Sequence, residues 1–264
     1  MLGAIVGDII GSHYEDFRTK TMDFPLFHED SCFSDDSVLT LAIAKWLMED
    51  ANHTHGGVVK SLRYVGWNHL GAGYGQLFYC WLRSNNPHPY NAYSNGCAMR
   101  VSPVGLYASS LDEALSLAKI SAEVTHNHPD GIRGAQAIAA SVFLCKNGAS
   151  KEYIRTFIEN SFCYDLHRTI NAIRPTYKFD VSCNGSVPEA IIAFLDGNNF
   201  EEVIRLSISL GGDADTIAAM AGSIAACRYA IPDDITTKCI DLLSPDLNLI
   251  LENFISFLNQ RVLN

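Results

Sequence analysis

Two short segments combine carboxylates with hydroxyls at the start of an apolar run: Ser34-Asp35-Asp36-Ser37 and Gly211-Gly212-Asp213-Ala214-Asp215-Thr216. The first stands immediately before Val38, Leu39, Ala42, Ile43, Trp46 and Leu47, which follow the spacing of a helix face. A single Asp there needs no explanation beyond an N-cap and the positive end of the helix dipole. Three successive oxygen side chains also make a seat for a hard cation, which binds oxygen. In the second segment, Asp213 and Asp215 share no helix face, so they converge only where the backbone turns, as Gly211 and Gly212 permit. The Ala- and Gly-rich helix that follows predicts a neighbour at close range. Acids beside so buried a helix are costly unless paired or metal-bound. Together the segments predict a binuclear, oxygen-ligated site for Mg²⁺ or Mn²⁺ rather than zinc, which prefers His and Cys. Bound in this way, water becomes a better nucleophile and substrate oxygens are oriented, which is hydrolase chemistry.

A third contribution comes from the N-terminal segment. Gly3, Gly7 and Gly11 form a small-residue stripe suited to close helix packing. On the same helix Asp8, Ser12 and Glu15 lie together, while Ile5, Val6, Ile9 and Ile10 require burial on the other sides. A polar face on a buried helix looks into a site.

The elements that position these residues read as helices almost throughout. Apolar stripes recur at Leu111–Ala122, Ala135–Phe143, Ile191–Leu195, Val203–Leu210, Ile217–Ala225 and Leu247–Phe257. Ser110, Ser150 and Pro129-Asp130 mark helix starts. The only β-like stretches are Tyr64–Trp67 and Tyr177–Val181, and two segments, Trp67–Ser94 and His167–Val187, read as long ordered loops. The expected architecture is all-α, a single compact domain of orthogonal helices over residues 1–264. A chain of this length buries roughly 70–75% of its unfolded surface and needs no disulfides.

The net charge of −10 disfavours nucleic-acid binding, which requires Lys and Arg against phosphate. Eight cysteines without a Cys-x-x-Cys pair, and an N-terminus lacking a basic leader, predict free thiols in a reducing cytoplasm. No apolar run is long enough to predict a membrane span.

Five motifs in order resemble the ADP-ribosylglycohydrolase family, which includes the dinitrogenase reductase-activating glycohydrolase. They are Gly3–Glu15, Ser34-Asp35-Asp36-Ser37, Asn95-Gly96-Cys97-Ala98-Met99-Arg100, Thr125-His126-Asn127-His128-Pro129 and Gly211–Thr216. Ser34 stands where the family usually has Thr and keeps the hydroxyl. The resemblance implies an all-α fold and two Mg²⁺ or Mn²⁺ ions held by Ser34, Asp35, Asp36, Asp213, Asp215 and Thr216, with Asp215 bridging. It implies Glu15 and Asp36 as the catalytic carboxylates, and Asn95, Gly96, Met99 and His126 as contacts to ADP-ribose. Gly96 begins a helix whose N–H groups suit a diphosphate. His128 is read as structural, and Arg100 as facing either phosphate or a buried carboxylate. Tyr90, Tyr93, Phe78 and Tyr107 are the aromatic candidates for stacking on adenine.

The implied reaction cuts the bond between ADP-ribose and an acceptor on a protein or small molecule, releasing ADP-ribose. Two other readings fit the same residues. One is a non-catalytic ADP-ribose-binding or immunity-type protein; the other is a binuclear phosphohydrolase acting on the diphosphate.

Overall fold

The computed structural model describes residues 1–263. Its helices are α1 (Leu2–Asp16), α2 (Asp35–Glu49), α3 (His55–Asn68), α4 (Gln76–Arg83), α5 (Gly96–Met99), α6 (Ser102–Tyr107), α7 (Leu111–Glu123), α8 (Pro129–Lys146), α9 (Lys151–Phe162), α10 (Ile170–Ile173), α11 (Cys183–Asp196), α12 (Phe200–Ile208), α13 (Ala214–Ala225), α14 (Asp233–Leu242) and α15 (Pro245–Leu263). No strand forms among the described residues; only an isolated antiparallel bridge joins Ser94 to Ser182. The all-α expectation holds.

Helix α13 lies at the centre, with every one of its residues buried. Helix α1 runs along it at close range, because side chains are missing where the two meet. A Cβ at Gly3 would overlap the Gly222 carbonyl, one at Gly7 the Ala218 carbonyl, and one at Gly11 the backbone of Asp215. Helices α11 and α12 cover other sides of α13, and α2 leans on α1 with α3, α6 and α15 outside it.

Hydroxyl caps begin many of these helices, as at Ser110 onto Glu113 N and Ser150 onto Tyr153 N. The connection between α1 and α2 is irregular, yet cations tie it down. Lys20 Nζ donates to the carbonyls of Arg174, Tyr177 and Leu210, and Arg205 donates to those of Met22 and Phe24.

Four expectations need correction. Tyr64–Trp67 lies inside α3, and Tyr177–Val181 belongs to neither a strand nor a helix. The long loop predicted over His167–Val187 is broken by α10 and the start of α11, and that over Trp67–Ser94 by α4. Its Phe78, Trp81 and Leu82 bury one face at helical spacing, a signal too short to stand out among the flanking Gly, Asn and Pro residues. No helix among the described residues is long and apolar enough to cross a membrane.

Candidate metal and substrate site

The site begins with two helix starts brought face to face. Ser34 is extended, and its hydroxyl accepts from Asp36 N at 3.2 Å, capping α2. The same hydroxyl donates to Asp8 Oδ1 at 2.7 Å. The other carboxylate oxygen of Asp8 accepts from the Ser34 and Ser37 amides, each at 3.0 Å, and from the Ser37 hydroxyl. At the start of α13 the chain turns through Gly211, whose φ of +62° suits glycine, and the turn brings Asp213 and Asp215 together. Thr216 Oγ1 donates across to Asp36 Oδ2 at 3.1 Å, joining the two segments.

The carboxylates form two overlapping groups. Oxygens of Asp8, Asp36 and Asp215 lie within 4.8 Å of one another, and so do oxygens of Glu15, Asp213 and Asp215. Asp215 belongs to both. Burial, followed by repulsion from Asp8 and Asp35 at Asp36 and from Asp36 and Asp213 at Asp215, pushes both well above the ordinary carboxylate range. Asp35 is pushed up to about 8, first by burial and then by Asp8 and Asp213. Glu15 is raised by burial and by Asp213. Among the described residues no Lys or Arg forms an ion pair with Asp8, Asp35, Asp36, Asp213 or Asp215. Asp36 Oδ1 is buried with no hydrogen-bond partner at all. A buried, all-oxygen cluster with an orphaned carboxylate oxygen and no internal cation fits hard divalent ions, which would reverse the local repulsion.

Above this floor opens a cleft of about 360 Å³, within the range that holds small ligands. Its far wall comes from the segment before α5 and from α5 itself. Asn95 and Met99 are buried, and Gly96 faces His126: a Cβ on Gly96 would stand 3.2 Å from its Nε2. The Asn95 amide donates to Asp213 Oδ2 at 2.6 Å, so Asn95 reaches the acidic floor from the opposite wall. Both ring nitrogens of His126 are engaged, Nδ1 with Thr125 Oγ1 at 2.7 Å and Nε2 with Ser94 Oγ at 3.0 Å. Burial, with Arg100 nearby, lowers its pKa well below the ordinary value and keeps the ring neutral.

The structure therefore brings Glu15, Ser34, Asp35, Asp36, Asn95, Gly96, Met99, His126, Asp213, Asp215 and Thr216 to one cleft. Asp35 lines it but belongs to neither carboxylate group. Of the aromatic candidates, Phe78 and Tyr90 line the cleft. Tyr107 instead stacks on Phe257, and Tyr93 is exposed beside His128. His128 accepts from Asp130 N and starts α8. Arg100 is fully buried and meets no carboxylate; its guanidinium donates to Ser121 O and Thr125 Oγ1, both at 2.9 Å. The clamping role of Asp8 was visible in the sequence only as membership of a polar stripe. Gly73, Gln76, Leu77 and Val181 also line the cleft without any local motif to mark them.

The ADP-ribosylglycohydrolase family profile matches residues 1–259. A Danio rerio protein named ADP-ribosylhydrolase ARH3 is 26% identical, over 88% of this chain and 82% of its own. A Pseudomonas putida protein named ADP-ribosylarginine hydrolase Tri1 is 27% identical over 72% of this chain, but the match spans only 52% of that protein. A solved structure, an ADP-ribosylglycohydrolase-related protein complex, superposes with a TM-score of 0.70 over 94% of each chain at 24% identity, a likeness of fold.

Proposed function

The chain belongs to the ADP-ribosylglycohydrolase family, and on that premise we propose that it hydrolyses the C1″ glycosidic bond between ADP-ribose and an acceptor with the help of two divalent cations. The observation that carries this reading is Asp215, itself buried and shared by two carboxylate groups on the floor of a cleft of ligand size. Ser34, Asp35, Asp36, Asp213, Asp215 and Thr216 would hold the ions, with Asp215 common to both. Mg²⁺ or Mn²⁺, when bound, supplies positive charge that orients ribose hydroxyls and makes water easier to deprotonate. Glu15 stands at the edge of the floor with a raised pKa, suited to accept a proton from water as it attacks C1″. The C1″–acceptor bond breaks, the new C1″–O bond forms, and the departing acceptor takes up a proton. Positive charge developing on the sugar is stabilised by the surrounding carboxylates, Asp36 among them. The wall with Asn95, Gly96, Met99 and His126 would receive the rest of ADP-ribose.

The acceptor we propose first is the guanidinium of arginine, in line with the name of the Pseudomonas putida relative. Mass spectrometry of products from a panel of ADP-ribosylated arginine, serine and small-molecule substrates, with Mg²⁺ and Mn²⁺ compared, tests both statements. Free ADP-ribose is the expected product. AMP with ribose phosphate would move the reaction to the diphosphate, and ADP-ribose-induced thermal stabilisation without turnover would make the protein a binder.

A further inference from the structure

The two ligand-bearing helix starts are registered by a third helix whose own contacts with them are of opposite kinds. Between α1 and α13 only backbone intervenes, because any Cβ at Gly3, Gly7 or Gly11 would overlap α13. The position of α13 against α1 is thus set by hard contact. Between α1 and α2 the link is Asp8, which is fully buried and extends both carboxylate oxygens to the start of α2. Oδ1 takes the Ser34 hydroxyl at 2.7 Å and shares the Ser34 amide at 3.3 Å; Oδ2 takes the Ser34 and Ser37 amides, each at 3.0 Å, and the Ser37 hydroxyl. A carboxylate offers about four acceptor positions, and four donors from one helix start fill them.

We infer that Asp8 is a positioning residue for the metal site and not one of its ligands. An Asp8 oxygen does lie within 4.8 Å of oxygens of Asp36 and Asp215. Turning it to a cation, however, would strand a buried amide or hydroxyl of α2. Asp36 Oδ1, by contrast, has no partner and is free to bind. Asp8 thereby completes a rigid path from α13 through α1 to α2 and sets the separation of Asp215 from Asp36. Among the described residues, the one direct hydrogen bond between those helix starts runs from the Thr216 hydroxyl to Asp36 Oδ2 at 3.1 Å. Ser34 gains a fixed orientation from the same clamp, its proton spent on Asp8 and its remaining lone pair available to an ion. The inference rests on the proposed metal dependence and specifies which group shapes the site.

Mn²⁺ binding to metal-free protein, measured by calorimetry without substrate, tests it. In Asp8→Asn one acceptor oxygen becomes an amide facing donors, and Mn²⁺ affinity at the Asp36–Asp215 position is expected to fall by about 10–100-fold. The position served by Glu15, Asp213 and Asp215 should change far less, with helicity by circular dichroism retained. Ser37→Ala removes one donor to Asp8 without touching a carboxylate, and should weaken the same binding step by a smaller factor. It carries the test alone if Asp8→Asn does not fold. A wild-type isotherm in the folded variants overturns the inference, as does an equal loss at both positions. Unchanged affinity with reduced kcat at saturating Mn²⁺ also overturns it, making Asp8 part of the chemistry. Because no substrate is present, absence of turnover on every ADP-ribosyl compound removes the proposed function and leaves this inference standing. Failure of the wild-type protein to bind Mn²⁺ removes the inference itself.

Discussion

The floor of the cleft and its far wall are held in place by different physics. On the floor, charged groups sit at helix starts, and their supports are themselves buried: Asp8 beneath Ser34 and Ser37, the glycine stripe of α1 beneath Asp215, Thr216 against Asp36. The far wall is chain between helices with the short α5, tied by main-chain bonds from Asn95 N to Val181 O at 2.7 Å and from Cys183 N to Tyr93 O at 2.9 Å. Its rim is apolar and open, with Leu77 61% and Val181 46% exposed. A site that concentrates like charges must be preorganised, because each carboxylate relaxes away from the others unless it is pinned. A wall that accepts a neutral or anionic ligand needs shape and donors, which loops supply. Chemistry is expected to depend on the first region and affinity for substrate on the second.

The largest expected effect therefore lies on the floor. Asp215→Ala, which removes the oxygen donor shared by both groups, should reduce turnover by at least about a hundredfold. It should also abolish the thermal stabilisation given by Mn²⁺, with helicity by circular dichroism largely intact. Full activity of EDTA-treated, metal-free wild-type protein would overturn the whole division into metal floor and substrate wall.

Asn95 tests where the boundary runs. It sits on the wall but donates to Asp213 Oδ2 at 2.6 Å, a buried hydrogen bond to a carboxylate. Such bonds contribute about 1.5–3 kcal/mol, so Asn95→Ala should cost roughly ten- to a hundredfold. If Asn95 serves the floor, the loss appears in the Mn²⁺ concentration needed for half-maximal rate. If it serves the wall alone, KM for the ADP-ribosyl substrate rises at unchanged Mn²⁺ requirement.

Support of the floor by α1 has a milder test. Gly7→Ala forces one methyl against the Ala218 carbonyl, an overpacking change that costs about 1–3 kcal/mol. In a domain of this size that lowers Tm by roughly 2–4 °C per kcal/mol, measurable by differential scanning calorimetry. An unchanged Tm would mean that α1 and α13 have room to adjust, contrary to rigid support of the floor.

The same contrast explains what the sequence disclosed. Helices were legible because their apolar stripes are long, and the floor because acids beside an Ala- and Gly-rich run conflict with burial unless something compensates them. The supports were less so. Asp8 appeared as one member of a polar stripe, and nothing local shows that four donors of another helix converge on it. The rim of the wall was not legible: Gln76, Leu77 and Val181 reach the cleft only through the path of the chain. Of four plausible aromatics, tertiary packing alone removes Tyr107 into contact with Phe257 and leaves Tyr90 and Phe78 at the cleft.

Tyr90 supplies the smallest and most selective test. It is half-buried at the cleft, its ring 5.8 Å from that of His126, and its backbone amide is fixed to Thr125 O at 3.2 Å. An aromatic face held so firmly is suited to stack on adenine, an interaction of about 1–3 kcal/mol per base when the ring is removed altogether. Tyr90→Leu keeps apolar bulk, so the expected loss sits at the low end, about 1 kcal/mol or roughly fivefold in KM. Tyr90→Phe keeps the ring and should leave KM within about twofold. Neither variant should alter Mn²⁺ affinity, since the residue contributes nothing to the floor. Equal losses in the two variants would shift the contribution from the ring face to the hydroxyl. A change in Mn²⁺ affinity would show that wall and floor are mechanically coupled through Thr125, His126 and Ser94, and the two regions would then have to be treated as one.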